Sequence, residues 1–282
     1  MSVLKLLKYI LNIVVWSVLG LYLLVILTFQ IPAAQEYLGR RIASLAAEKL
    51  GTSVRVGKAD FGIPNRLTLY DVLINDQQGK EMLKVRRLSV RVDLLPITEG
   101  RISIATAQVF GAHAILYQRD SLSKPNFQFV LDSLASKDTT ETNPLNLRIN
   151  SFIMRRSSVS YDRYDVPETE GLFNANHLKI SDISAYIILK TMTEDTLNVN
   201  IKRLAFKEKS GAQVDRLSLR YEGGRSHSQL NDFVLKMPGT EILLGKIEAN
   251  YQFQNDRFFL PSLNYSGSIL PSTVRLSDIT CF

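Results

Sequence analysis

The sequence predicts a mainly β protein. An N-terminal transmembrane helix and a short amphipathic helix lead into a curved, bulged antiparallel sheet. Three observations predict it. One uncharged apolar run opens the chain, a second segment carries helical periodicity, and from Thr52 onward short alternating segments dominate. With 282 residues, 45% hydrophobic and 22% charged, the composition supports a full-size core and excludes a disordered tail.

Tyr9 to Phe29 is broken only by Asn12, Ser17, Gly20 and Thr28 and carries no charge. At about 1.5 Å per residue such a helix spans a hydrocarbon core of roughly 30 Å. The run exceeds the ~7–15 residues of a signal-peptide apolar region, and Ile31-Pro32-Ala33-Ala34-Gln35 is a poor cleavage site. An uncleaved anchor is therefore expected, with residues 1–31 as tip and membrane span. Lys5 and Lys8 are the only charges before residue 32, and the positive-inside bias keeps that end cytoplasmic while the bulk crosses.

Residues 32–51 follow as a second helix. Pro32 can start it, Leu38, Ile42, Leu45 and Leu50 recur at intervals of three to five, and Gly51 is a good residue to end it. Two readings stand: a helix lying on the outer face of the membrane, and a helix capping the end of a sheet.

Beyond Thr52 no segment of helical length shows 3.6-residue periodicity. Instead two alternating apolar residues, a doublet, and two more alternating apolar residues recur six times. Leu67, Leu69, Val72 and Ile74 flank Tyr70-Asp71. Leu83, Val85, Leu88 and Val90 flank Arg86-Arg87. Ile102, Ile104, Ala107 and Val109 flank Ala105-Thr106. Leu147, Ile149, Phe152 and Met154 flank Asn150-Ser151. Leu178, Ile180, Ile183 and Ala185 flank Ser181-Asp182. Val199, Ile201, Leu204 and Phe206 flank Lys202-Arg203. Chance gives about one or two such cases. A slip of one residue flips every later side chain to the other face, and a β-bulge absorbs it while bending the strand. The other reading is a pair of short strands joined by a bend.

Cleaner alternation follows at Leu217, Leu219, Tyr221 and at Ile247, Ala249, Tyr251, Phe253. Turn signals stand at 62–65, 76–79, Glu99-Gly100, Gly223-Gly224, Pro238-Gly239, 254–256 and Ser266-Gly267. A meander of antiparallel strands is expected, in a first sheet segment over 52–135 and a continuing one over 146–282, joined by a polar linker or loop over 136–145. Each strand offers one apolar and one polar face, and no series of helices covers the apolar side. That side packs as a sandwich, closes as a barrel, or forms a trough that something apolar must fill.

The order of elements carries a resemblance. An apolar anchor and a helix ending Leu50-Gly51 are followed by a strand, Ser53-Val54-Arg55-Val56-Gly57-Lys58-Ala59. Then come 67–76, 83–96, Gly100-Arg101-Ile102, Val109-Phe110-Gly111-Ala112 and Pro125-Asn126-Phe127-Gln128-Phe129. Over residues 1–135 this is similar to the N-terminal part of AsmA-like proteins, the translocation and assembly module group (TamB) among them. The resemblance implies an inner-membrane protein with a periplasmic, taco-shaped sheet and a hydrophobic groove. It implies roles in phospholipid transport toward the outer membrane and in outer-membrane protein assembly with a barrel partner such as TamA. Proteins of that group are several times longer, so a fragment or a short relative is expected, and the partner contact belongs to a C-terminal region.

The candidate lipid-groove residues are Leu67, Leu69, Val72, Ile74, Leu83, Val85, Leu88, Val90, Ile102, Ile104, Leu147, Ile149, Phe152, Ile180, Ile183, Val199 and Ile201, with phospholipid acyl chains as the ligand. A plain sandwich on a membrane stalk, acting as adaptor, is the competing reading. A small outer-membrane barrel is disfavoured by the anchor and the doublets.

No catalytic, cofactor or metal residue is expected. Nucleophile-elbow, phosphate-loop, dinucleotide and zinc-protease motifs are absent from the sequence. The single cysteine, Cys281, excludes an intramolecular disulfide, and His113, His177 and His227 have no ligand spacing. Tyr161, Asp162, Tyr164 and Asp165 read as a strand and its turn. The doublets Arg155-Arg156 and Lys202-Arg203 read as a solvated face or as contacts to phosphate headgroups. Nucleic acid is not expected as a partner of an anchored, exported chain.

Overall fold

A computed structural model of the chain describes residues 3–62, 65–93, 103–135, 148–169, 171–192, 196–254, 257–278 and 280. Several expectations lie outside them: Ile63-Pro64, Glu99-Gly100, Ile102, the 136–145 segment, Leu147, Asn255-Asp256 and Cys281.

Two helices open the chain, α1 (Val3–Phe29) and α2 (Pro32–Leu50). α1 is long and apolar enough to cross a membrane by length and composition, and no residue of the window Leu7–Leu24 is buried. Proline at the start of α2 loses no helical hydrogen bond, and Gly51 ends it in the left-handed region at φ 64°.

The remaining elements are β1 (Val54–Arg55), β2 (Lys58–Gly62), β3 (Arg66–Asn75), β4 (Glu81–Asp93), β5 (Ser103–Gln118), α3 (Gln128–Ala135), β6 (Arg148–Ile149), β7 (Ser151–Arg163), β8 (His177–Met192), β9 (Thr196–Glu208), β10 (Gln213–Gly224), β11 (His227–Lys236), β12 (Glu241–Gln254) and β13 (Arg257–Ile269). The described strands form one open 13-stranded sheet in the order β1-β3-β4-β5-β7-β8-β9-β10-β11-β12-β13, with β2 beside β3 and β6 beside β5. The segments on either side of 136–145 therefore belong to one sheet.

Four local expectations are corrected. The meander is antiparallel except at β5, which pairs in parallel with β6 and β7, because the long connection through α3 permits a crossover that a hairpin does not. α3 itself is a helix that the strand pattern did not anticipate; eight residues are too few to display a period. Ser53–Ala59 is two strands, interrupted where the Gly57 amide donates to Tyr70 O at 3.0 Å and a Cβ would meet Asp71 Cβ at 3.3 Å. Ser266-Gly267 lies inside β13, where Ile247 occupies the space above the glycine.

The doublets mark interruptions of the strands, of more than one kind. Asp71, Arg156, Asp182 and Asp232 have φ between 50° and 54° in mid-strand, and Gly111 has φ 65°. Arg86-Arg87 lies between Asp71 and Gly111 on the flanking strands. At Ala105-Thr106 and Lys202-Arg203 the register shifts, and Asn150 divides β6 from β7. Each device puts two consecutive residues on the polar side and returns the next apolar residue to the apolar side.

The packed core sits at the anchored end. Ala43 of α2 joins Val56, Ala59, Leu69, Val72, Val85 and Ala112 in one buried cluster, with Leu38, Ile42, Leu67, Ile74, Leu83, Leu88 and Val109 packed around it. Gly39 and Ala43 are small enough to seat α2 on β1 and β2; a Cβ on Gly39 would stand 3.3 Å from Lys58 Cα and Val56 O. Of the two readings for residues 32–51, the sheet cap is the one observed. The chain exposes 18854 Å², against roughly 12,000 Å² for a compact monomer of this size. One open layer and a bare apolar helix account for the excess.

A Gly111→Val substitution adds a β-branched side chain at positive φ against the Arg86 stem, whose atoms stand 3.1–3.3 Å from an added Cβ. It is expected to cost about 2 kcal/mol or more and lower the melting temperature of the detergent-solubilised chain by roughly 4–8 °C. Asp232→Gly at the same kind of bulge should leave it within about 2 °C. Equal melting of wild type and Gly111→Val would remove the bulge account.

Candidate functional site

The apolar face is a set of rows running across the strands. Directly paired residues give Leu69–Leu88–Val109–Met154–Ala185–Leu204–Leu217–Leu235–Ile242, an unbroken apolar line over nine strands. A parallel line runs Leu67–Val90–Ala107–Phe152–Ile187–Ile201–Leu219. A third runs Leu189–Val199–Tyr221–Leu230–Ile247. The opposite face carries Tyr70–Arg87–Phe110–Arg155 and, farther on, Tyr186–Arg203.

The expected groove residues fall on one face, in two different settings. Leu69, Val72 and Val85 are buried beneath α2, with Leu67, Ile74, Leu83 and Leu88 packed against them, so these form the core and not an open surface. Val90 and Ile104 continue that face at half-burial. Phe152, Ile180, Ile183, Val199 and Ile201 lie beyond the helix and are half-buried. Ile149 is placed in β6 beside Ile104; Ile102 and Leu147 are outside the described residues. Strands β10 to β12 were not drawn into the candidate set. Their plain alternation, Leu217 with Leu219 and Ile242 with Leu244, is the signal that adds them.

Beyond α2 this face has no cover among the described residues. Ile187, Ile201, Leu204, Leu217, Leu235 and Ile242 are all half-buried, shielded sideways by their row neighbours and by nothing above. Five strand intervals of about 4.8 Å make the open rows from β7 to β12 roughly 24 Å long.

Polar groups close the ends of the strands. Asp76 is fully buried in the β3–β4 turn. Its carboxylate accepts from the Gln78 and Lys80 amides at 2.9 and 2.8 Å and from the Tyr117 hydroxyl at 2.8 Å. Burial and the hydrogen bond to Asp76 both raise the pKa of Tyr117, which also stacks on Tyr164 at 5.4 Å. Asn126 extends the edge of β5, exchanging backbone and side-chain bonds with Tyr117 and Ile115. Tyr117, Asn126, Gln128 and Phe129 line a cleft of about 410 Å³ beside α3.

The histidines and acids take structural places. His113 is exposed and bonds Ser158 Oγ at 2.6 Å; His227 bonds Asn250 Oδ1 at 2.9 Å. His177 is buried, with Nδ1 3.1 Å from Asp162 Oδ1 and Nε2 2.7 Å from Val166 O. Both partners are acceptors, so these contacts favour the protonated ring. Its pKa is raised, first by the Asp162 bond and then by the Val166 carbonyl. Asp165 pairs with Arg163 at 2.7 Å. Burial pushes the Glu208 carboxyl up, but Ser210 and the backbone amides of Ser210, Lys179 and Lys209 outweigh it and hold the pKa low. Among the described residues no group of three His, Cys, Asp or Glu is placed to hold a metal.

No family model matches the chain, and no curated protein matches it significantly.

The His177 contacts give a pH prediction. A raised folded pKa means the stabilisation is complete below about 6.5, the unfolded value, and is lost as pH rises through the folded one. The melting temperature of the solubilised chain should fall between pH 6 and pH 9, and His177→Gln should flatten that fall. An identical slope in the variant would show that His177 is not the group responsible. The low pKa of Asp165 and Glu208 acts in a separate window, where stability is lost as pH falls below about 4.

Proposed function

We propose that this chain is a membrane-anchored, groove-like β-sheet protein of cell-envelope biogenesis whose apolar face carries phospholipid acyl chains. The observation that carries this reading is the open apolar surface from β7 to β12, whose rows are made of directly paired apolar residues and have no covering layer among the described residues. Leaving one large apolar side chain in water instead of burying it costs about 1.5–3 kcal/mol, so a surface of this extent favours an apolar occupant. An acyl chain reaches about half of a ~30 Å hydrocarbon core, so the open rows accommodate one lying across the strands.

The anchor supports a single-pass placement, and the charges Lys5 and Lys8 support a cytoplasmic N-terminus. The resemblance to AsmA-like proteins supports an inner-membrane location, a periplasmic sheet, and transport of lipid toward the outer membrane or help in outer-membrane protein assembly. An outer-membrane barrel such as TamA is the partner that resemblance implies.

Site-specific photocrosslinking in cells tests the reading. A benzophenone amino acid at Ile201 or Leu217 should capture lipid, and one at Arg203 or Arg216 on the other face should not. Absence of lipid adducts at Ile201 and Leu217 in a full-length, protease-resistant chain would overturn the reading and favour a structural stalk.

A further inference from the structure

The polar face also divides into two regions. Beyond β7 three cations are cross-linked to acids: Lys207 with Asp182 at 3.3 Å, Arg220 with Asp232 at 2.6 Å and Lys236 with Glu241 at 2.7 Å. At the anchored end the pattern stops. Arg86 and Arg87 of β4 and Arg155 and Arg156 of β7 are exposed and form no ion pair among the described residues.

The bulges place these four cations together. Arg87 and Arg155 are the direct register neighbours of Phe110 on either side. The guanidiniums of Arg87 and Arg156 both lie over the Phe110 ring, at 5.4 and 5.6 Å from its centroid. The stem of Arg86 packs against Gly111, the next residue along β5. Lys84 and His113 pair one step farther on. A planar ring holds two guanidiniums side by side while their N–H edges stay free, and the like charges repel unless an anion neutralises them.

We infer that the Arg86-Arg87-Arg155-Arg156 cluster around Phe110 is a docking patch for the phosphate headgroups of an anionic phospholipid surface. Three observations select that partner. The patch lies only two to four strands from β2, which contacts α1. α1 is the one described helix able to span a bilayer. Four cations gather around one ring here, while on the distal sheet Asp182 and Asp232 are each neutralised by a cation across the strands. Guanidinium forks suit phosphate oxygens, and each basic residue near an anionic leaflet contributes within a Debye length of about 8–10 Å. This patch is on the face opposite the acyl-binding rows and does not rest on them.

The test is native mass spectrometry of the full chain in a neutral maltoside detergent, offered phosphatidylglycerol and phosphatidylcholine with identical acyl chains in equal amounts. The anchor and the apolar face take acyl chains whatever the headgroup, so the ratio of the two retained lipids reads the headgroup alone. Wild type should favour phosphatidylglycerol. Arg87→Gln with Arg156→Gln should lower that ratio roughly tenfold or more, since two surface cations are lost. Arg87→Lys with Arg156→Lys, which keeps the charge and controls for folding, should retain most of it. Ile201→Asp should reduce total lipid without changing the ratio, which separates this inference from the proposed function. An unchanged ratio in the double glutamine variant would overturn the inference. So would displacement by inorganic phosphate but not by sodium chloride of equal ionic strength, which would mark a free-phosphate site. Equal retention of the two lipids by wild type would also overturn it and turn attention to an acidic protein segment.

Discussion

Everything in this fold depends on how a two-residue period survives an interruption. A strand that inserts one extra residue sends its second half to the wrong face. Here a left-handed residue, a register shift or a break between strands stands at most of the doublets, and past the left-handed Asp71 the residues Val72 and Ile74 rejoin Leu67 and Leu69. The cost is about 1–2 kcal/mol for each non-glycine residue held at positive φ. That is less than the loss from turning two large apolar side chains outward, at about 1.5–3 kcal/mol each. Three of the four such residues are aspartates, whose short polar side chain tolerates the left-handed region better than most. Because the interruptions fall at neighbouring positions on successive strands, they align into creases that bend the whole sheet rather than one strand.

A bent sheet of one layer is an unusual solution for a chain with a full complement of apolar residues. α2 covers only its first strands, and it does so by presenting glycine and alanine to the sheet, which brings the helix axis close. Past that point the apolar rows are half-buried and, among the described residues, no layer covers them. The far edge is blunted as well. β13 carries Pro261 and an irregular register opposite Tyr251, features that discourage further strand pairing. The open rows are therefore a surface held in place by paired strands, with apolar burial incomplete above them.

The two faces divide the labour by chemistry. One is aliphatic across the whole sheet, suited to hydrocarbon. The other is polar, with ion pairs across its distal strands and unpaired arginines near the anchor. Doublets serve both faces at once. Their side chains supply the charges, and their backbone supplies the bend that keeps the opposite rows aligned.

Much of this was readable from residue order. The anchor, the helix from Pro32 to Gly51, the dominance of strands and the six doublets follow from local periods of 3.6 and 2, which need no knowledge of neighbours. The shared face of Leu67 through Ile201 follows from the same rule. Sequence alone did not decide which part of that face stays open. Leu69 and Ile201 sit in the same pattern, yet one is buried under α2 and the other is not, because helix docking is a long-range contact. The parallel step at β5, the short α3, the strand placement of Gly267 and the meeting of Arg87 with Arg156 over Phe110 are likewise tertiary. Each depends on which strands become neighbours, and strand order is fixed by pairing energies between segments far apart in the chain, while alternation fixes only the face on which each residue stands.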